Sequence, residues 1–384
     1  MVGGGHTRFG ALPEGPRELL RAAVDQAFAS VDRGAERRSV EEAFLATLGF
    51  SGWQLGNPSA VLADSAGILS VPVTRLENAC ASGGFAVRAG VRAIEAGSAD
   101  LVLVAGLEKM TDAPSARRRY WLGVSGDTEW ERASGLTFAG VYGLLASAYG
   151  AAYGDPREAL AEVAVQNHAH GALNPNAQFR RAVSREDVLA SPTVADPLRL
   201  LDCCGVTDGA AAILLAGADV AKRYTDTPVF VDGAGAASDA LALQDRTSLT
   251  SLAATRRAAD EAFRRAGWGR DQVDLIELHD CFTIAELLAL EDLGFAPPGH
   301  AGKLVLEGAT RLGGSLPVNP DGGLKAKGHP IGATGVSQAY EAFVQLRRAA
   351  GARQVRGAER ALAHNVGGSG ASATVTLFGT GGTP

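Results

Sequence analysis

Apolar positions along the chain alternate between helical and strand spacing. Residues 17–31 place Leu19, Leu20, Ala23, Val24, Ala27, Phe28 and Val31 on one helical face. Glu42–Phe50 is apolar and bounded by Gly49 and Ser51, which predicts a strand. Asn57-Pro58-Ser59 reads as a helix start leading to Gly67, and Val71–Leu76 as a β-branched strand. Residues 81–96 predict a helix of small residues, and the run Leu101–Ala105 a buried parallel strand. The first strand is expected to be very short, because Val2 runs at once into Gly3-Gly4-Gly5. Residues 108–204 break the pattern with Pro114, Pro156, Pro175, Pro192 and Pro197 and read as a long inserted region with its own helices, such as Arg157–His170. Alternation then resumes, with strands at Ala210–Leu215, Val229–Val231, Val273–Leu278, Ala361–Asn365 and Ala373–Phe378. Helices are expected at Leu252–Ala266, Ile284–Leu293 and Thr334–Arg348. The alternation predicts an α/β architecture with mainly parallel sheets and suggests two similar halves.

Composition narrows the class. The 384 residues are 46% hydrophobic and 20% charged, enough for a large core and incompatible with global disorder. The 49 glycines follow no fixed period and imply tight turns and close backbone approaches. The net charge is −6, and no basic run is longer than Arg117-Arg118-Arg119, so a nucleic-acid-binding surface is not indicated. Four cysteines do not make a disulfide framework and fit a reducing compartment. No apolar stretch is long enough for a membrane span. Met1-Val2-Gly3-Gly4-Gly5-His6 is no signal peptide and Thr383-Pro384 no peroxisomal tail, so a cytoplasmic protein is expected.

Four segments carry candidate chemistry. In Glu77-Asn78-Ala79-Cys80-Ala81-Ser82-Gly83-Gly84 a strand ends and a helix begins, which places Cys80 near a helix N-terminus that favours a thiolate. The arrangement is like a nucleophile elbow with cysteine for serine; the plainer alternative is a small cysteine buried at a turn. Asn319 to Gly335 is a glycine-rich loop that holds His329 between Gly328 and Pro330 and then opens a helix. Leu278-His279-Asp280-Cys281-Phe282-Thr283 lies at the C-terminal edge of a predicted strand, where open α/β sheets bind ligands. No Cys-x-x-Cys or His-x-x-x-His accompanies it, so no metal is expected. His364-Asn365-Val366-Gly367-Gly368 again follows a strand. Cys203-Cys204 reads as structural, His168 and His170 face different ways on their helix, and the dinucleotide-like Gly233–Ser238 run is discounted for want of a helix directly after it.

Together, in this order over nearly the whole chain, these segments resemble the thiolase family. Cys80 matches the family's nucleophile motif and Gly328-His329-Pro330 its Gly-His-Pro motif; Asn174-Pro175 and Asp208-Gly209-Ala210-Ala211 also match. His279-Asp280-Cys281-Phe282 stands where most members carry Asn-Glu-Ala-Phe, and resembles the sterol-carrier-protein branch with its acetyl-CoA acetyltransferase-like members. The resemblance implies a five-layered αβαβα fold of two halves, residues 1–107 with 205–217 and residues 218–384, with 108–204 as an inserted loop domain. It implies acyl transfer through a Cys80 thioester and Claisen condensation or thiolytic cleavage of 3-ketoacyl-CoA. Cys80 is the implied nucleophile and His329 its proton acceptor. Cys281 is the implied second acid/base, because Asn365-Val366-Gly367 replaces the family's C-terminal Cys-x-Gly. His279 is implied in one oxyanion hole and the Cys80 and Gly367 amides in the other; Asn365, Gly368 and Gly328 complete the oxyanion and substrate-binding candidates. A thiol base needs a positive neighbourhood or a nearby imidazole, which His279, His329 and His364 are candidates to supply. The resemblance further implies coenzyme A thioesters as substrates with no permanently bound cofactor, a homodimer or homotetramer, and a small OB-fold, zinc-ribbon partner. A thiolase-like aldolase, a ketoacyl synthase and a non-catalytic subunit are the alternatives.

Overall fold

A computed structural model describes residues 1–381, so the Thr383-Pro384 tail lies outside the described residues. The first half runs β1 (Gly3–His6), α1 (Pro16–Ala29), β2 (Glu42–Ala46), α2 (Pro58–Ala66), β3 (Val73–Leu76), α3 (Ser82–Glu95) and β4 (Leu101–Glu108). Helices α4 (Ser115–Gly123), α5 (Phe138–Tyr153), α6 (Arg157–Leu173) and α7 (Arg185–Ala190) and the small strands β5 (Thr193–Ala195) and β6 (Leu198–Arg199) follow before β7 (Gly209–Ala216). The second half runs β8 (Phe230–Ser238), α8 (Ala253–Ala266), β9 (Leu275–Glu277), α9 (Thr283–Asp292), α10 (Ala301–Leu306), α11 (Gly323–Ala326), α12 (Thr334–Leu346), β10 (Arg360–Gly367) and β11 (Ser372–Gly379).

Two sheets form, in the orders β1-β7-β4-β2-β3 and β8-β11-β10-β9. They are mixed, which corrects the expectation of mainly parallel sheets. β2 is parallel to β3 and β4, and β9 to β10, but β7 runs antiparallel to β1 and β4 and β11 antiparallel to β8 and β10. Period-2 and continuous apolar patterns do not encode strand direction. β7 and β11 are buried like parallel strands because helices cover both faces. Helices α3 and α12 each pack on strands of both sheets and form a shared middle layer; α1 and α2 cover the outer face of one sheet and α8 that of the other. The result is five layers, αβαβα.

Glycine sets the spacing of these layers. β1 is built from the glycines that seemed to cut it short: a Cβ on Gly5 would stand 2.1 Å from the Ala23 carbonyl oxygen, and one on Gly3 2.5 Å from that of Ala27. The second half repeats the device in the discounted fingerprint, where a Cβ on Gly235 would meet the Ala258 carbonyl oxygen at 2.0 Å and one on Gly233 that of Ala262 at 2.3 Å. In each case an alanine-rich helix lies directly on the strand backbone. In the middle layer, a Cβ on Gly83 would come 2.6 Å from the Gly335 amide nitrogen, so α3 and the start of α12 touch through backbone. Among the described residues no helix is long and apolar enough to cross a membrane.

Gly235→Ala should lower the unfolding free energy by about 1–3 kcal/mol through overpacking. Gly56→Ala, with nothing within 4 Å of the new methyl group, should be neutral. Thermal melts of both variants check this, and equal midpoints would contradict the packing argument.

Candidate active site

The turn before α3 presents Cys80. Ala79 adopts a left-handed φ of 49°, which costs a non-glycine residue about 1 kcal/mol. Ser82 offsets that strain: its Oγ donates to the Ala79 carbonyl oxygen at 2.6 Å and accepts the Asn78 N–H at 2.9 Å. Cys80 therefore stands at a tight turn with its thiol on the wall of a cavity of about 720 Å³. Cys281 and His329 line the same cavity, with an apolar wall from the inserted segment that includes Leu136, Phe138 and Tyr142. One nitrogen of His279, one of His329 and the Cys80 sulfur all lie within 4.8 Å of one another. The two imidazole rings stand edge to face at 5.0 Å.

The hydrogen bonds assign opposite tautomers to the two histidines. Asn365 Oδ1 accepts the Gly84 N–H at 3.0 Å, which orients the amide. Its Nδ2 then donates to the Cys80 carbonyl oxygen at 2.9 Å and to His279 Nδ1 at 3.1 Å. His279 Nδ1 is thus a bare acceptor, and the proton sits on Nε2, a donor. At His329 the order reverses. Thr334 Oγ1 donates its one hydrogen to the Pro330 carbonyl oxygen, so it accepts from His329 Nδ1–H at 2.7 Å. His329 Nε2 is left as a buried lone pair with no partner. One imidazole offers a proton and its neighbour takes one. The sulfur and two nitrogens lie at metal-ligand spacing, but His279 can coordinate through Nε2 only if Asn365 gives up its bond to Nδ1. The donor set does not fit a resident metal.

Burial keeps these groups uncharged. It lowers His329 to about 3, helped by the charge of Lys327. It takes His279 well below 6.5, helped by His329 and His364. Neither ring is a standing positive charge, so neither supplies the positive neighbourhood that is one of the two alternatives for Cys281. His364 is not in the site: its Nε2 pairs with Thr255 Oγ1 of α8 at 2.9 Å, on the other face of β10, and burial lowers it to about 3. Burial also pushes the Cys80 thiol up to about 12, opposed by the Gly368 amide and reinforced by Glu108 and Glu77. The helix N-terminus does not yield a resting thiolate, because desolvation outweighs it. Cys281, between β9 and α9, is raised well above 9 by burial, with the Tyr142 hydroxyl opposing.

Other candidates are placed differently. The amide that reaches the Cys80 sulfur belongs to Gly368, together with Cys80's own. Gly367 instead ends β10 opposite Ser372, where a Cβ would strike Ser372 Oγ at 2.3 Å. Gly328, at φ 116°, lets the loop pass Thr207, whose Oγ1 accepts the His329 N–H at 3.0 Å. Cys203 and Cys204, read from sequence as structural, line the cavity, and the Cys204 N–H donates to the Cys281 carbonyl oxygen at 3.0 Å. Sequence reasoning missed Tyr142, Thr207 and Glu108. Tyr142 lies in an apolar helix with no local motif. Glu108 is a carboxylate inside an apolar strand, a visible signal; buried, it accepts the Leu48, Phe50 and Gly332 amides and shapes the wall behind Cys80. Thr334, five residues after His329, was legible as part of the same loop.

Histidine nitrogen NMR should find His279 protonated at Nε2 and His329 at Nδ1, both still neutral well below their ordinary titration near 6.5. Asn365→Ala should release the His279 tautomer while leaving that of His329. Unchanged His279 nitrogen shifts in that variant would overturn the assignment.

A sequence model described as the thiolase N-terminal domain matches residues 2–219, and one described as the thiolase C-terminal domain-like matches residues 235–380. An acetyl-CoA acetyltransferase of Methanothermobacter thermautotrophicus is 43% identical over 98% of this chain and 98% of its own. Sterol carrier protein 2 of Gallus gallus is 34% identical over 99% of this chain and 71% of its own. Among solved structures, the Ltp2-ChsH2(DUF35) aldolase superposes with a TM-score of 0.87 at 23% identity, covering 99% of this chain and 97% of that one. Human mitochondrial 3-ketoacyl-CoA thiolase superposes with a TM-score of 0.76 at 18% identity, covering 99% and 98%. At these identities the two structures share the fold.

Proposed function

The chain belongs to the thiolase family, and on that premise we propose how its residues carry out acyl transfer between coenzyme A thioesters. The observation that carries the reading is the convergence of the Cys80 sulfur with one nitrogen each of His279 and His329 within 4.8 Å, at the wall of a cavity that Cys281 also lines. The Cys80 sulfur attacks the thioester carbonyl as its proton passes to His329 Nε2, the free lone pair. The proton moves with the attack, because neither the thiolate nor the imidazolium is stable alone at this depth. The Cys80 and Gly368 amides, which lie at the Cys80 sulfur, then take the developing acyl oxygen. The carbon–sulfur bond to coenzyme A breaks, and the departing thiolate takes the proton of Cys281. Cys281 then removes the α-proton of acetyl-CoA, whose carbonyl oxygen accepts from His279 Nε2–H. The enolate carbon attacks acyl-Cys80, the new carbon–carbon bond forms, and the Cys80 sulfur leaves and recovers the proton from His329. Thiolytic cleavage is the reverse.

The same reading takes coenzyme A thioesters as substrates with no resident cofactor. It extends to a cytoplasmic homodimer or homotetramer. The open edge of the first sheet at β3, whose residues are part-exposed, supports an association between copies. A small OB-fold, zinc-ribbon partner is supported by the neighbour whose name pairs an aldolase with a DUF35 protein.

Cys80→Ala should abolish thiolysis, by at least about a thousandfold in kcat/KM. Cys281→Ala should still form an acetyl adduct on Cys80, seen by intact mass after incubation with acetyl-CoA, while losing carbon–carbon bond formation and cleavage. Full turnover of 3-ketoacyl-CoA by the Cys80 variant would overturn the reading.

A further inference from the structure

Resting on the reading of Cys281 as the second acid/base, we propose that Tyr142 is its positioning residue: the Tyr142 hydroxyl passes its one hydrogen bond from the Gly368 carbonyl oxygen to the Cys281 sulfur when that sulfur becomes a thiolate. Tyr142 comes from α5 of the inserted segment, not from either sheet half, and is 1% exposed. Its ring stacks on Phe282 at 4.7 Å and 25°, so the ring plane is held and the O–H torsion is the free coordinate. The hydroxyl donates to the Gly368 carbonyl oxygen at 3.2 Å, and Tyr142 lines the same cavity as Cys281, the chain neighbour of the Phe282 ring it stacks on, where its hydroxyl favours the Cys281 thiolate. One hydrogen and two acceptors make a two-position donor. A neutral thiol is a weak acceptor and leaves the hydrogen on Gly368; a thiolate attracts it.

The surroundings of Cys281 give that donor its importance. Asp280 opposes a negative charge at the sulfur, while Cys204 and Cys80 beside it are neutral thiols. Burial raises the Asp280 carboxyl to about 6, opposed by the Leu324 and Lys325 amides that it accepts. The nearby imidazoles are neutral at rest, and His329 is charged only while it holds the Cys80 proton. Arg246, the cation that faces Tyr142, has its guanidinium engaged with the Ser369 carbonyl and hydroxyl oxygens. In the resting site the Tyr142 hydroxyl is the one of these groups that favours the thiolate. When Cys281 takes the α-proton, the C–H electron pair passes to the enolate, an S–H bond forms, and the tyrosine hydrogen returns to Gly368; no other bond changes.

Tyr142→Phe removes the hydroxyl and keeps the ring on Phe282. In this variant the acetyl adduct on Cys80 should still form, while kcat for the carbon–carbon step falls about 10- to 100-fold. A second measurement does not depend on turnover. In Cys80→Ala protein, the pH dependence of Cys281 alkylation by iodoacetamide, read by peptide mass, should move about one to two pH units alkaline when Tyr142→Phe is added. A merely structural tyrosine would alter KM or stability but not that profile. An unmoved alkylation profile overturns the proposal. Retained carbon–carbon chemistry in Cys281→Ala would overturn the underlying reading instead, so the two failures are told apart.

Discussion

Every polar atom of the Asn365 side chain is engaged in joining the two halves of the molecule. Its oxygen accepts from Gly84 at the start of α3, and its nitrogen donates to the Cys80 carbonyl and to His279. Gly84 and Cys80 come from the first half, His279 and Asn365 from the second. One buried amide thereby sets the position of the nucleophile's turn, the angle of α3 against β10, and the tautomer of the histidine that offers a proton. The approach is possible because no Cβ intervenes: one on Gly84 would stand 2.0 Å from Thr374 Oγ1 and 3.1 Å from Asn365 Cβ.

A second consequence of burial runs through the site. Two reactive thiols and His329 line a largely apolar cavity with His279 close by, and desolvation drives all four to their neutral forms. Chemistry there cannot depend on a standing ion pair. It starts from neutral donors and acceptors already aimed at one another, and the charges that proton transfer creates are met by hydrogen bonds. Charged groups are present, but farther back. The buried Lys327, paired with Asp321, holds the loop that carries His329, and Arg353 pairs with Glu341 of α12 at 2.9 Å. The Lys327–Asp321 pair lies within the loop itself and holds it without adding a net charge.

Much of this was legible along the chain. The helices at residues 17–31, 81–96 and 252–266 and the strand beginning at Leu101 were readable because one apolar face against a sheet imposes one period. The glycine excess was readable as close backbone approach, though its sites in β1 and β8 were not, because a strand pressed by a helix looks locally like a loop. Strand direction was hidden, since a strand covered on both faces is continuously apolar whichever way it runs.

Residue identity by itself determined which chemistry the chain carries: Cys80 at a strand-to-helix turn, His329 held before a proline, and His279 with Cys281 at a strand end are written in consecutive letters. Only the tertiary structure decided how that chemistry is set. It removed His364 to the far face of β10, handed the amide at the Cys80 sulfur to Gly368, brought Tyr142 from the inserted segment to Cys281, and gave the two histidines opposite tautomers. The physical reason is the same in each case. Which face a residue occupies, how far it is desolvated and which single hydrogen it shares are properties of neighbours distant in sequence, and no local pattern records them.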